Sequence, residues 1–144
     1  MTPANAQCLV HLFEEAPIQQ VYQHSKLTLE TGKSELLYTI DPAFLHGGYA
    51  LHGSVYFKML DDAAYFAAAT MSPEFFLLTA RFETRLLRPI SSGTLIARGT
   101  CITGTNPPEA QARLFDEHGQ LVATGKGHFA FSTTKWDMLT GYHL

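Results

Sequence analysis

Charged side chains and cysteines are scarce in this sequence of 144 residues. Only 16% of the residues are charged, below the roughly 25% of an average domain. The formal net charge of −3 argues against a broad nucleic-acid-binding surface. Cys8 and Cys101 form no CxxC pair, which argues against a metal or redox motif of that kind. We therefore expect two free thiols in a reducing cytoplasm.

Long apolar runs and a secretory start are missing as well. Residues 1–15 have no basic start followed by an apolar run, so no signal peptide is predicted. No stretch approaches the ~20 apolar residues of a membrane span. No repeat, low-complexity tract or linker divides the chain. The sequence thus predicts one cytoplasmic domain over residues 1–144, with neither a membrane nor a nucleic acid as partner.

Hydrophobic periodicity predicts a helix over 4–15, a strand pair over 27–40 and a long helix over 54–70. Four further strands are predicted over 77–87, 94–103, 109–115 and 120–132. Short turns between these strands imply antiparallel neighbours. The long helix is apolar on nearly every side and should be buried. The predicted class is α+β, with a curved antiparallel sheet wrapped around a central helix.

Simple alternation in the strand over 77–87 predicts two faces. One face would carry Leu78, Ala80, Phe82 and Leu86, and the other Thr79, Arg81, Glu83 and Arg85. Arg81 also begins a small basic cluster with Arg85 and Arg88. This cluster is equally compatible with binding of a phosphorylated ligand and with a solvated strand face.

The most informative stretch lies between His52 and Asp61. Residues 52–54 read His-Gly-Ser, a turn that opens the long helix, and Asp61 follows about two helical turns later. Backbone N–H groups at a helix start can receive a developing negative charge. A carboxylate on an apolar helix is costly to bury unless it is solvated, paired or used in chemistry. The stretch therefore combines an oxyanion receiver with a candidate nucleophile or base.

The pattern resembles the hotdog fold and, within it, the acyl-CoA thioesterases of the phenylacetyl-CoA thioesterase type. In that family a His-Gly-Gly turn opens the central helix and an acidic residue follows nine positions after the histidine, as Asp61 follows His52 here. Residues 81–93 and 116–129 are similar to the family's later strands. A second pair, His46-Gly47, has Val55 nine positions on, so His52 sets the register.

The resemblance implies thioester hydrolysis at a site shared between two protomers of a homodimer or homotetramer. It implies that the Gly53 N–H polarises the carbonyl and that Asp61 is the nucleophile or the base, with His52 as a third catalytic candidate. The predicted substrate-binding residues are His46, Ser54, Tyr65, Thr79 and Arg81. The substrate would be a coenzyme A or acyl-carrier thioester, with no cofactor and no metal. Tyr49, Tyr56, Phe57 and Tyr65 would line an acyl tunnel.

Other interpretations of these residues stay open. Asp61, and more readily Asp62, could be an exposed helix pair or be ion-paired to an arginine. His52 could shape the turn rather than act in chemistry, and His46 could be a structural loop residue. A zinc site of His46, His52 and an aspartate matches no standard ligand spacing. The alternative functions are a non-catalytic module that binds an acyl ligand or a protein, and, ranked lower, a hotdog dehydratase.

Overall fold

Two α-helices and six strands form the fold in the computed structural model, which describes residues 3–144 and side chains from residue 5 onward. The helices are α1 (Pro3–Glu15) and α2 (Gly53–Ala69). The strands are β1 (Ser25–Glu30), β2 (Lys33–Thr39), β3 (Phe75–Leu86), β4 (Thr94–Ile102), β5 (Glu109–Phe115) and β6 (Leu121–Lys135). Short 3-10 turns cover Pro17–Gln20, Pro42–Phe44 and Trp136–Met138. The predicted element order is confirmed, with ends displaced by at most three residues.

The six strands form one antiparallel sheet in the order β1-β2-β4-β5-β6-β3. Helix α2 packs against all of them, and most extensively against β4 and β5. This confirms the predicted α+β hotdog architecture. Strand β3 lies at one edge of the sheet, which leaves its outer backbone groups free to pair with another chain. Among the described residues, no helix is long and apolar enough to cross a membrane.

Helix α2 is buried because nearly every face of it meets the sheet or the flanking segments. Its Ala-rich half is fully enclosed, with Ala63, Ala64, Ala67 and Ala68 all inaccessible to solvent. Small side chains allow the sheet to approach closely. The approach is very close at Gly99 on β4, where a Cβ would lie 2.1 Å from the Ala63 carbonyl oxygen. The tight contact fixes the position of α2, and hence of Asp61, on the sheet.

A β-bulge in β3 overturns the prediction of two simple faces. Thr79 pairs with Phe129 and Arg81 pairs with His128, which leaves Ala80 as the extra residue of the bulge. Thr79 therefore faces α2, as Phe82 does beyond the bulge. The prediction that Thr79 and Phe82 lie on opposite faces is wrong because the bulge resets the alternation between them.

The C-terminal segment packs back onto the fold. Trp136 is buried and its Nε1 donates to the Ser72 carbonyl oxygen at 2.7 Å. Tyr142 stacks on Trp136 with ring centroids 5.9 Å apart. Leu139, which lies between Trp136 and Tyr142 in the sequence, packs against the core. The segment thus reaches the neighbourhood of α1, where it contributes to the site described next.

Candidate active site

The start of α2 presents an amide at the helix N-terminus. His52 is the N-cap, and its Nδ1 accepts the Ser54 N–H at 3.0 Å, with Ser54 Oγ 2.8 Å away. Gly53 is the first helical residue, and within residues 5–144 its N–H makes no hydrogen bond. This donor lies at the positive end of the helix dipole. His52 and Ser54 therefore shape the turn that holds the Gly53 amide ready for an acceptor.

His46 lies in the same crevice as Gly53. The crevice has a volume of about 340 Å³ and is also lined by Tyr56 and by residues 86–89. His46 Nδ1 accepts the Gly48 N–H at 2.9 Å, which fixes the ring against its own loop. Tyr56 donates to the Arg88 carbonyl oxygen at 2.7 Å. The structure thus brings together two of the predicted site residues, His46 and Gly53.

Asp61 lies two helical turns further along α2, and it is partly buried. Thr79 Oγ1 donates to Asp61 Oδ1 at 3.0 Å across the space between α2 and β3. Burial raises the pKa of Asp61 to about 6, against the Thr79 hydrogen bond and the more distant Lys58, which lower it. The nearby Asp62 raises it further. A carboxyl group with this pKa is ionised at neutral pH and is a stronger base than an exposed aspartate.

The neighbouring Asp62 has a different environment. It forms an ion pair with Lys58, one helical turn earlier, and both side chains are mostly buried. Lys58 Nζ also donates to Gln19 Oε1 at 2.8 Å and lies 4.9 Å from the ring centroid of Tyr22. Within residues 5–144, Asp61 has no such ion pair. The alternative of an ion-paired aspartate therefore applies to Asp62, with a lysine in place of the expected arginine.

The Lys58–Asp62 pair should matter for stability. We expect Lys58→Met and Asp62→Leu each to lower the free energy of unfolding by about 3–5 kcal/mol, because each leaves one buried charge without its partner. The double variant should lose much less than the sum of the two. Urea unfolding of the four proteins measures this coupling. Additive losses would show that the pair is energetically independent.

Asp61 and Thr79 line a cavity with a volume of about 650 Å³, larger than the Gly53 crevice. Tyr65 is part of its wall and donates from its hydroxyl to the Leu77 carbonyl oxygen at 2.8 Å. The other aromatic residues predicted for an acyl tunnel lie elsewhere. Tyr49 is 78% exposed, Tyr56 lines the Gly53 crevice and Phe57 packs edge-on against Phe82. Of the predicted tunnel, only Tyr65 contributes to this cavity.

Arg81 lies away from both cavities within one chain. Its guanidinium is exposed and reaches Glu83 Oε1 at 3.4 Å and His128 Nε2 at 3.2 Å. These contacts are typical of a solvated strand face, one of the two interpretations open for the arginine cluster. No group of three histidine, cysteine, aspartate or glutamate side chains in the described part of the chain could hold a metal ion.

The two parts of the candidate site are separate in a single chain. Gly53 and Asp61 are eight residues apart on α2, or about 12 Å along the helix axis. They also line different cavities. A single chain therefore holds an amide half, with Gly53 and His46, and a carboxylate half, with Asp61, Thr79 and Tyr65.

Residues 47–123 match the family model of the thioesterase superfamily. The chain belongs to this superfamily. The PaaI protein from the phenylacetic acid degradation operon of E. coli has a similar structure, with a TM-score of 0.81 and 16% identity over 92% of this chain and 96% of that one. A thioesterase family protein from Silicibacter pomeroyi is also similar, with a TM-score of 0.77 and 24% identity over 87% of this chain and 96% of that one. A mutant form of the phenylacetic acid degradation protein PaaI from Thermus thermophilus has a TM-score of 0.70 and 19% identity over 78% of this chain and 96% of that one.

These structural similarities establish a shared hotdog fold. No curated protein sequence matches the chain. Membership of the thioesterase superfamily supports thioester hydrolysis as the general chemistry. Gly53, Asp61 and Thr79 lie within the matched residues. The segments 12–19 and 139–141, which also contribute to the lining of the Asp61 cavity, lie outside them.

Proposed function

We propose that this thioesterase-superfamily protein hydrolyses acyl-CoA thioesters, with the Gly53 N–H receiving the carbonyl oxygen and Asp61 acting as nucleophile or general base. One observation carries the proposal. In the described part of the chain, Asp61 is a partly buried carboxylate without an ion pair, hydrogen-bonded by Thr79, at the wall of a large and mainly apolar cavity. A structural carboxylate in such a place would be expected to have the ion pair that Asp62 has.

The chemistry follows from the charges that develop. Attack on a thioester carbonyl moves negative charge to its oxygen, which the Gly53 amide and the helix dipole would stabilise. Asp61 either attacks the carbonyl carbon or removes a proton from the attacking water. The carbon–sulfur bond then breaks and the thiolate leaves. On the base route the thiolate takes the proton that Asp61 removed from water, whereas on the nucleophile route water protonates the thiolate and cleaves the acyl–Asp61 anhydride, which releases the acid and restores the carboxylate. His52 would act here by capping the turn, and His46, which lines the same crevice as Gly53, would contact the carbonyl or the water.

The two halves of the site would be joined by a second copy of the chain. Gly53 lies against Leu86, whose Cδ1 would be 3.4 Å from a Cβ at position 53. Asp61 accepts a hydrogen bond from Thr79, which lies nearer the other end of β3. Antiparallel pairing of two β3 edges about an axis near Phe82 would place Leu86 beside Thr79 of the partner subunit. The Gly53 amide would then approach Asp61 of the partner subunit.

The exposed surface of β3 supports such pairing. Leu78 and Leu86 are about half exposed, at 50% and 52%, on a 12-residue edge strand. A long edge strand with exposed leucines is normally covered. We therefore propose a homodimer as the smallest active unit, with a homotetramer built from such dimers as the alternative assembly.

Thiol release from a panel of short, medium and aryl acyl-CoAs tests the activity. We expect hydrolysis of at least one member without an added cofactor. Binding of acyl-CoA without thiol release would favour the alternative, a non-catalytic acyl-binding module. An enoyl-CoA in the same panel tests the dehydratase alternative, since hydration would consume its double bond and release no thiol.

The Thr79 hydroxyl should tune the acid limb of the pH profile. Its hydrogen bond lowers the pKa of Asp61, which burial raises to about 6. Activity should therefore rise with pH through about 6 in the wild type, as the carboxylate forms. Thr79→Val removes the hydrogen bond and should move this limb to higher pH, while Thr79→Ser should leave it in place. The measurement is kcat/KM between pH 4.5 and 9, and identical limbs in all three proteins would contradict this role.

A further inference from the structure

Arg81 and Glu83 stand side by side on the free edge of the sheet. Phe82, between them, faces α2, so Arg81 and Glu83 lie on the opposite face of the strand. The guanidinium and the carboxylate are 3.4 Å apart at their nearest atoms, and both side chains are mostly exposed. Since β3 is an edge strand, these two opposite charges lie next to any chain that pairs with it.

We propose that Arg81 and Glu83 form a self-complementary charge pair that sets the register in which two β3 strands meet. The inference rests on the proposed homodimer with a shared site and deepens it. In antiparallel pairing about a two-fold axis at Phe82, Arg81 lies directly opposite Glu83 of the partner subunit, and symmetry supplies the reverse contact. The four charges then alternate in sign around a square. We call this arrangement of Arg81 and Glu83 from both chains the charge square.

The neighbouring registers place like charges together. Opposite residues of an antiparallel pair have the same backbone orientation, so the axis moves from one residue to the next and each step shifts the pairing by two residues. An axis at Arg81 sets Arg81 against its own copy. An axis at Glu83 sets Glu83 against its own copy and Arg81 against Arg85 of the partner subunit. Like charges directly opposite each other destabilise both of these registers.

One alternative register also pairs opposite charges, Glu83 with Arg85 of the partner subunit, about an axis at Thr84. Moving the axis by two residues displaces one strand along the other by four residues, or about 13 Å. The amide half of the site would then lie far from the carboxylate half. The overlap of the two strands would also shrink to residues 82–86, from residues 78–86 in the charge-square register. The charges and the shared site therefore favour the same register.

Contacts within the chain prepare Arg81 for this role. The guanidinium donates from Nη2 to His128 Nε2 at 3.2 Å, and His128 Nδ1 in turn contacts Glu109 Oε1. The contact with Glu83 is also made by Nη2. Within residues 5–144, Nη1 and Nε of Arg81 have no hydrogen bond or ion pair. The side chain is thus held on its strand face, with donors left for a carboxylate across the interface.

The charge square would contribute more to alignment than to affinity. An exposed ion pair raises a binding constant by up to about 5-fold, so two such pairs alone would not hold a dimer together. A wrong register, however, replaces attraction by repulsion between like charges. The affinity would come from the strand edge and its apolar side chains, and the charges would decide how the two strands align.

Charge reversal at each position tests the proposal. The Arg81→Glu homodimer would hold four negative charges in the square, and the Glu83→Arg homodimer four positive ones. We expect each homodimer to have a dissociation constant at least about 10-fold above that of the wild type. An equimolar mixture of the two variants sets each negative side chain against a positive one. With a 10-fold penalty on both homodimers, mixed dimers should form about nine-tenths of all dimers, against one-half by chance. Sedimentation measures the dissociation constants and native mass spectrometry counts the dimers.

Arg85→Glu is the matched control, because it makes the same charge change on the same strand but lies outside the charge square. Its dissociation constant should stay within a few-fold of the wild-type value, and the double reversal Arg81→Glu/Glu83→Arg in one chain should dimerise as the wild type does. Wild-type affinity in both single variants, a chance share of mixed dimers, or no rescue by the double reversal would overturn the proposal. The proposed hydrolysis fails separately, as an absence of thiol release from acyl-CoA by wild-type dimers that show this charge dependence.

Discussion

Replacing Asp61 by asparagine is expected to lower the turnover of acyl-CoA by about 1000-fold, because a neutral amide can neither attack the carbonyl nor accept a proton from water. Asparagine has nearly the same shape as aspartate and can still accept the Thr79 hydroxyl that now donates to Asp61 Oδ1 at 3.0 Å. The measurement is kcat for thiol release by purified Asp61→Asn and wild type at pH 8. Turnover within a few-fold of wild type would exclude Asp61 from the chemistry.

The same substitution should leave the fold at least as stable as the wild type, which separates lost chemistry from lost structure. Burial raises the pKa of Asp61 from 3.8 to about 6 in the folded chain, so the proton binds more tightly to the folded state than to the unfolded one. The stability linked to that proton is complete below about pH 4 and is lost as the pH rises through about 6. At pH 8 the ionised group costs on the order of 3 kcal/mol, which asparagine avoids. Urea unfolding at pH 8 and pH 4 measures the difference, which should shrink at the lower pH.

Asp62→Asn provides the matched control. Asp62 is the neighbouring carboxylate on α2, but its partner is Lys58. We expect this variant to lose stability, because Lys58 is left without its counter-ion, and to retain turnover as long as it is folded. A loss of turnover in both variants, with folded protein in both cases, would mean that the two carboxylates act together.

The second large effect is expected for Gly53→Pro, which removes one hydrogen-bond donor and little else. Proline is well accommodated at the first position of a helix, where its missing N–H has no helical partner. His52, which would precede it, has φ −64° and ψ 141°, the conformation that a residue before proline favours. We expect kcat to fall by at least about 100-fold, the usual cost of losing a donor to the oxyanion. Thiol-release kinetics and thermal unfolding of the same preparation measure both properties.

Gly53→Ala is the control for the amide. It keeps the N–H, and its Cβ would meet only Leu86 Cδ1 at 3.4 Å, so the helix start should form normally. Its turnover should lie well above that of Gly53→Pro. If alanine and proline reduce kcat equally, the added bulk at position 53 is responsible and the amide has no role as an oxyanion donor.

The element order and the position of Asp61 could be predicted from the sequence because both depend on local patterns. Alternation, turn residues and the apolar run of α2 are each visible within about 20 residues. The spacing from His52 to Asp61 survives in the structure because both residues belong to one helix and its cap. The different roles of Asp61 and Asp62 required the tertiary contacts of Lys58 and Thr79.

The cavity beside Asp61 and the bulge could not be predicted in the same way. Ala80 leaves no signal in the alternation of β3, since a bulge is defined by the pairing with β6 and not by residue type. The aromatic residues near Asp61 in sequence suggested a tunnel through Tyr49, Tyr56, Phe57 and Tyr65, of which only Tyr65 lines the cavity. Much of the remaining lining comes from residues 12–19 and 139–141, which are far from Asp61 in the chain and reach the cavity only after folding.

Subunit complementation between Asp61→Asn and Gly53→Pro tests most directly whether the site is shared between two chains. Each variant alone should be nearly inactive. In a two-fold dimer, random exchange makes half of the dimers mixed, and each mixed dimer has one site with an intact Gly53 and an intact Asp61. The mixture should therefore recover about one quarter of wild-type activity. Subunit exchange that is confirmed by mass spectrometry and is followed by no recovery of activity would contradict a site built from both subunits.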